Sequence, residues 1–203
     1  EEDKVWHEVP SENDKIPGYI KRMGELSCYA IRATYGYENI SIVRPANIYG
    51  PNDNFDKNSM VIPALIKKGC EDDVINVWGD GSPIRDFVYG DDVASAILKM
   101  VRDEINDIVN FGSGENITIK SMIESLVKIS GKELKINWDA SKPNGDMKRQ
   151  MDITKQKKYD LLPETPFIDA LNRTYRHYIQ NFKIDGLPFI VNEYINKSYY
   201  VGD

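Results

Sequence analysis

Ile40-Ser41-Ile42-Val43-Arg44-Pro45-Ala46-Asn47-Ile48-Tyr49-Gly50-Pro51 reads as a short apolar strand running directly into a loop. Isoleucine and valine at 40, 42 and 43 suit a buried strand. The prolines, asparagines and glycine between 45 and 54 are turn formers that end it. The predicted strand is 40–43. The same pattern returns at Ile108-Val109-Asn110-Phe111, which is followed by Gly112-Ser113-Gly114. Helical periodicity lies between and around these two strands. Strands alternating with helices define an α/β class with a mainly parallel sheet. Such a sheet places ligands beyond the carboxyl ends of its strands, so the loops at 45–54 and 112–116 are the candidate site loops.

Working outward, Pro17 can open a helix, because the first turn has no use for its missing N–H. Ile20, Met23, Leu26, Ala30 and Ala33 follow at helical spacing, and Gly36 closes the helix. Ser59 is the expected cap of a second helix carrying Val61, Ile62, Leu65 and Ile66, which stops at Gly69. A strand from Val74 to Trp78 leads into the turn Gly79-Asp80-Gly81, and 86–89 is a further strand. Asp91 or Asp92 is expected to cap a helix with Val93, Ala94, Ile97, Met100 and Val101 on one side. Thr118 caps a helix that carries Ile119, Met122, Ile123, Leu126 and Ile129 and ends at Gly131. A strand at 134–138, a polar loop at 140–149 and an amphipathic helix at 167–181 complete the pattern. Residues 182–203 form an unassigned tail.

Composition excludes several functions. The 203 residues carry a net charge of -6, which argues against a nucleic-acid surface. No apolar run approaches the roughly 18 residues of a membrane span. Cys28, Cys70, His7 and His177 have no metal-ligand spacing, so no metal is expected. Two unpaired, distant cysteines suit a reducing cytoplasm. The chain opens Glu1-Glu2-Asp3-Lys4 without an initiating Met, which suggests a piece of a longer protein.

Four segments, taken in order, resemble the extended short-chain dehydrogenase/reductases that act on nucleotide sugars. They are Gly18-Tyr19-Ile20-Lys21-Arg22-Met23-Gly24-Glu25, Arg44-Pro45-Ala46-Asn47-Ile48-Tyr49-Gly50-Pro51, Trp78-Gly79-Asp80-Gly81-Ser82-Pro83-Ile84-Arg85-Asp86-Phe87 and Asn110-Phe111-Gly112-Ser113-Gly114. Asp53-Asn54-Phe55, Val61-Ile62-Pro63-Ala64-Leu65 and Ser141-Lys142-Pro143-Asn144-Gly145 resemble the GDP-L-fucose synthase branch. The resemblance implies the later part of a Rossmann-like NAD(P)-binding fold, interleaved over residues 1–181 with a small substrate-binding α/β subdomain. It also implies NAD or NADP as cofactor, a GDP- or UDP-linked sugar as substrate, and a homodimer.

Residue by residue, the resemblance makes Lys21 the cofactor lysine and places Pro45 and Asn47 at the cofactor, with Asn47 also at the sugar nucleotide. Arg85 matches the diphosphate-binding arginine, and a guanidinium fork suits phosphate oxygens. Asn54, Lys68, Lys142 and Arg149 join it at the substrate. Val61 and Ile62 would contact the base, and Trp78 either walls the site or lies in the core. The family's chemistry needs a tyrosine four residues before the lysine, on the same helix face. That place is Pro17. Tyr19, the remaining candidate acid, is two residues from Lys21. Met60 stands where the branch has an acidic histidine. A thioether donates no proton, and Met60 is expected as core filling. Gly112-Ser113-Gly114 imitates a dinucleotide fingerprint, but its third glycine position is Ile117. Three functions follow as expectations. The first is an NAD(P)-dependent nucleotide-sugar epimerase or reductase, here without its glycine-rich cofactor turn. The others are a non-catalytic nucleotide-sugar binder and a dimer-partner relative.

Overall fold

The structure, a computed structural model, describes residues 2–182. Short 3-10 turns at Asp3–Trp6 and Glu12–Asp14 precede helix α1 (Lys15–Tyr35). Strands β1 (Ile42–Pro45) and β2 (Asn47–Tyr49) lead to helix α2 (Val61–Glu71) and strand β3 (Val74–Trp78). Strands β4 (Ile84–Arg85) and β5 (Phe87–Tyr89), helix α3 (Gly90–Arg102), and strands β6 (Ile108–Phe111) and β7 (Ile117–Thr118) follow. Helix α4 (Ile119–Ser130), strand β8 (Lys135–Asp139) and helices α5 (Thr154–Lys158) and α6 (Phe167–Asn181) complete the order. The predicted tail at 182–203 lies almost wholly outside the described residues.

The chain forms two compact units that exchange segments. The first comprises residues 2–49, Ile84–Ile117 and Asp146–Phe167; the second comprises Gly50–Pro83, Thr118–Gly145 and residues 168–182.

In the first unit, β1 runs parallel to β6, with Ile42 opposite Ile108 and Pro45 opposite Phe111. β2 runs parallel to β5, with Asn47 opposite Phe87. The α/β class with parallel strands is therefore as expected, but the strand predicted at 40–43 lies two residues later. The loop expected at 45–54 contains β2, because pairing with β5 outweighs the turn propensity of its asparagine. Against these strands α3 packs Val93, Ala96 and Met100, in a core with Val88, Val109, Phe111 and Leu161. The predicted apolar face of α3 is thus corrected: Ala94, Ile97 and Val101 are exposed. Residues 93, 96 and 100 repeat at the same spacing as 94, 97 and 101, so periodicity alone does not choose between the stripes. Neither Asp91 nor Asp92 caps α3. Both lie in its first turn, and the Asp92 carboxylate accepts from Thr165 Oγ1 at 2.9 Å.

α1 ends on Gly36, left-handed at φ 64°, whose N–H bonds to the Arg32 carbonyl at 3.0 Å. Over its length α1 buries no residue completely. It is tied to β1 by a bidentate ion pair: Arg44 Nε and Nη2 each lie 2.7 Å from a carboxylate oxygen of Glu25.

In the second unit, β3 runs parallel to β8, Val74 facing Lys135 and Trp78 facing Asp139. α2 and α4 cover this pair with Ile62, Leu65, Ile66, Met122, Ile123 and Leu126, all buried. Thr118 caps α4 as expected, accepting from the Ser121 N–H at 3.0 Å, a contact worth about 1 kcal/mol. Gly131 closes it in the left-handed region. α2 departs from its expected ends. Its cap is Met60 rather than Ser59, and it passes Gly69 to end at Glu71. Gly69 is buried within the helix, where an added Cβ would make only ordinary van der Waals contact with Leu134 at 3.4 Å and Ile75 at 3.6 Å.

Candidate functional site

The carboxyl ends of β1 and β6 open into the two loops singled out by sequence. Asp86, between β4 and β5, joins them. Its side chain is 1% exposed. Oδ1 accepts from the Ser113 N–H at 2.8 Å and from Ser113 Oγ at 2.7 Å, and Oδ2 accepts from the Met151 N–H at 3.3 Å. The Asp86 carbonyl accepts from Asn47 Nδ2 at 2.8 Å and from the Asn47 N–H at 3.2 Å. Asn47 therefore begins β2 with one side-chain hydrogen committed to the backbone. Pro45 closes β1 at the same end. Gly112 leaves no room for a side chain, since a Cβ would lie 2.4 Å from Asp86 Oδ2. The buried Gln156 side chain clamps it, accepting from the Gly112 N–H at 2.9 Å and donating to its carbonyl at 3.0 Å. Asp86 appears in the resembling motif, but its role as a junction was not legible there. Neither was Gln156, in a five-residue polar helix without apolar periodicity.

Arg85 and Arg149 come together in this unit. Arg149 N–H bonds to the Ile84 carbonyl at 3.1 Å, which draws the 146–149 segment alongside β4. Arg85 Nη1 donates to the carbonyls of Ile84 at 2.8 Å and Asp146 at 2.7 Å. Arg149 pairs through Nε with Asp146 at 2.6 Å and through Nη1 with Asp14 at 2.8 Å. Burial lowers the Arg85 pKa, and the neighbouring Arg149 charge lowers it further, against the opposing pull of Asp146. The Asp146 hydrogen bond raises that of Arg149. The Arg149 charge is thus felt at Arg85, while Asp146 and Asp14 already pair with Arg149.

Lys21 is exposed on α1. The helix is regular through its first turn, with Pro17 as its third residue. Tyr19 and Lys21 are two residues apart and hence separated by roughly 200° around the axis. The Tyr19 ring instead lies 5.9 Å from the Arg22 guanidinium carbon. This geometry does not form a Tyr19–Lys21 pair. On the Lys21 face, four residues on, Glu25 makes its ion pair with Arg44, so the same contact sets the rotation of Lys21 about the helix axis.

The second unit carries the remaining candidates. Trp78 is 69% exposed, which removes the core alternative. The Lys142 ammonium lies over its ring, 5.8 Å from the centroid. Asn144 Oδ1 accepts from the Asp80 N–H at 3.0 Å, seating the 141–145 segment on the turn after Trp78. Gly79 has φ 79°, and a Cβ there would fall 1.9 Å from Asn144 Oδ1. Gly79→Ala is expected to cost about 2 kcal/mol or more, from left-handed backbone strain and displacement of Asn144. The check is the urea midpoint; an unchanged midpoint would mean that the turn yields without cost. Ile62 is 1% exposed, inside the core, while its neighbour Val61 is exposed, so of the pair only Val61 offers its side chain to a ligand. Met60 is 56% exposed, correcting its expected role as core filling: as the residue capping α2 it points away from the packed face. Asn54 is exposed and its Oδ1 accepts from the Asp56 N–H at 3.0 Å. Lys68 is exposed in the last turn of α2.

The profile of the "NAD dependent epimerase/dehydratase family" matches residues 16–112. The chain is 38% identical over 169 residues to a probable GDP-L-fucose synthase 1 of Oryza sativa subsp. japonica, an alignment covering 79% of this chain and 51% of that protein. It is 31% identical over 177 residues to the GDP-L-fucose synthase of Escherichia coli (strain K12), covering 79% and 55% respectively. The chain thus spans about half the length of the curated relatives it matches. Among solved structures, a GDP-L-fucose synthetase from Naegleria fowleri superposes with a TM-score of 0.80 at 22% identity, over 90% of this chain and 60% of that one. The UDP-glucuronic acid 4-epimerase from Bacillus cereus, in complex with UDP-glucuronic acid and NAD, gives 0.71 at 28% identity, over 85% and 57%. The fold is accordingly of the Rossmann-like type found in these proteins.

Proposed function

We propose that this chain, whose residues 16–112 match the profile of the NAD dependent epimerase/dehydratase family, forms the nucleotide-sugar-binding part of a cytoplasmic NAD(P)-dependent epimerase or reductase resembling GDP-L-fucose synthase. The observation carrying this reading is the pair of guanidinium groups at Arg85 and Arg149, braced beside the Asn47 loop. In this reading the two arginines take the diphosphate of a GDP- or UDP-linked sugar. Asn47 orients the sugar end. In the second unit, Asn54, Val61, Lys68, Trp78 and Lys142 are proposed as substrate-binding residues on the family resemblance alone, with the Lys142 ammonium over the Trp78 ring.

Lys21 and Pro45 are the residues proposed to hold the nicotinamide end of NAD or NADP. Their placement suits that group: Lys21 offers an exposed ammonium, and Pro45 stands at the carboxyl end of a parallel strand. When bound, the cofactor supplies hydride exchange with a sugar carbon. The chain's own part is to bind and orient the sugar nucleotide.

A homodimer through α1 accompanies this reading. It is supported by the exposure of Ile16, Ile20 and Met23 on a helix that buries no residue completely. No helix of the described residues is long and apolar enough to cross a membrane.

A second reading, nucleotide-sugar binding without proton transfer, is favoured by one feature. Pro17 occupies the position one helical turn before Lys21 in a regular helix start, and proline has no proton to give.

Arg85→Ala tests the binding reading common to both. In the complete protein it is expected to weaken GDP- or UDP-sugar affinity by about 1.5–3 kcal/mol, the range for a hydrogen bond to a charged group. Unchanged affinity in calorimetry would remove Arg85 from the site.

A further inference from the structure

We propose that Asp86 is a positioning residue for nucleotide-diphosphate binding, holding the loops of Asn47 and Arg149 on either side of Arg85. This rests on the reading of Arg85 and Arg149 as diphosphate ligands.

A buried carboxylate is costly unless hydrogen bonds replace its water. Asp86 obtains them from the Ser113 N–H, the Ser113 hydroxyl and the Met151 N–H. None of these partners is charged. Arg85 is adjacent in sequence, yet its guanidinium turns to the Ile84 and Asp146 carbonyls. The Asp86 carboxylate is therefore used to bind backbone rather than to neutralise an arginine. Its partners lie far apart in the chain: Ser113 follows β6, and Met151 lies two residues after Arg149. Through its carbonyl the same residue holds both nitrogens of Asn47.

The required chemistry is specific. A carboxylate accepts at both oxygens, whereas an asparagine side chain has one accepting oxygen and a donating NH2 group. In Asp86→Asn, either Ser113 or Met151 must turn its N–H toward another donor. The Met151 bond, at 3.3 Å, is the longer and the first to yield. Its loss frees the segment that draws Arg149 alongside β4. A longer acid is no substitute, because Gly112 already packs against Oδ2 so closely that a Cβ would lie 2.4 Å away.

The test is a GDP titration by calorimetry of the unsubstituted protein, Asp86→Asn, Arg149→Ala and the double variant. Asp86→Asn is expected to weaken GDP binding about tenfold. The double variant should bind within about twofold of Arg149→Ala alone, because both changes remove the same contact. A purely structural Asp86 gives additive losses instead, and additivity overturns the inference. So does Asp86→Asn binding like the unsubstituted protein while Arg149→Ala is weakened. If Arg85→Ala and Arg149→Ala both leave GDP binding unchanged, the diphosphate reading fails and this inference fails with it. Amide exchange on the unsubstituted protein is a check that does not depend on the variant folding. The Ser113 and Met151 amides should be protected like those of β6, and loop-like exchange at Met151 overturns the proposal.

Discussion

Under the proposed reductase reading, Pro17→Tyr introduced into the complete protein is expected to raise, or create, turnover of a 4-keto nucleotide sugar by about a hundred- to ten-thousand-fold, the contribution of a positioned acid–base group. The new phenol would stand one turn before Lys21 on the same face of α1, where the ammonium favours its ionised form. The substitution asks little of the fold. Position 17 is exposed and lies in the first helical turn, where a backbone N–H needs no helical partner. Tyr19→Phe, roughly half a turn away, is expected to leave turnover unchanged. Both are read as NAD(P)H oxidation at saturating sugar nucleotide. If Pro17→Tyr gains nothing while nucleotide binding is intact, the missing phenol is not what limits chemistry. If Tyr19→Phe abolishes an activity already present, the acid is Tyr19, and the helix start rearranges in the working protein.

Arg44→Ala should destabilise the protein by about 1.5–3 kcal/mol, the range for hydrogen bonds to a charged group, because it leaves one partner of a part-buried ion pair alone. The Arg44 and Glu25 side chains are only 14% and 12% exposed, so the abandoned carboxylate has little water to turn to. Arg44→Lys keeps the charge but not the fork that meets both Glu25 oxygens, and should recover only part of the loss. Replacing both partners with apolar residues, as in Glu25→Leu with Arg44→Met, should be milder than Arg44→Ala alone. The measurement is the urea midpoint at constant slope. An Arg44→Ala midpoint equal to that of the unsubstituted protein would mean that α1 does not depend on this pair. The expected loss also bears on the role proposed for Lys21, because the pair fixes the helix face from which Lys21 projects.

Local chemistry in the sequence determined a good part of the fold. Glycine at 36 and 131 marks helix ends because only glycine enters the left-handed region there without strain. The strand from Val74 to Trp78 and the helix at 167–181 were readable to the residue, since each has a clear period and a clear stop. The positions of Lys21, Asn47 and Arg85 in their motifs were likewise legible, as was the absence of a phenol at position 17.

What the sequence did not decide were choices between equivalent local options. Two stripes on α3 have the same spacing, and the β-strands beneath it select Val93, Ala96 and Met100. Asp91 and Asp92 both read as caps, yet the Asp92 carboxylate is taken by Thr165, 73 residues away. Asn47 sits among turn formers but joins a strand because Phe87 is beside it. The Glu25–Arg44 pair and the Asp86 junction join residues 19 and 27 or more positions apart, and neither leaves a periodic trace along the chain. A period or a cap is a property of neighbours in sequence and can be read there. A buried charge finds its partners by proximity in space, so the bracing of the site was settled only when the chain folded.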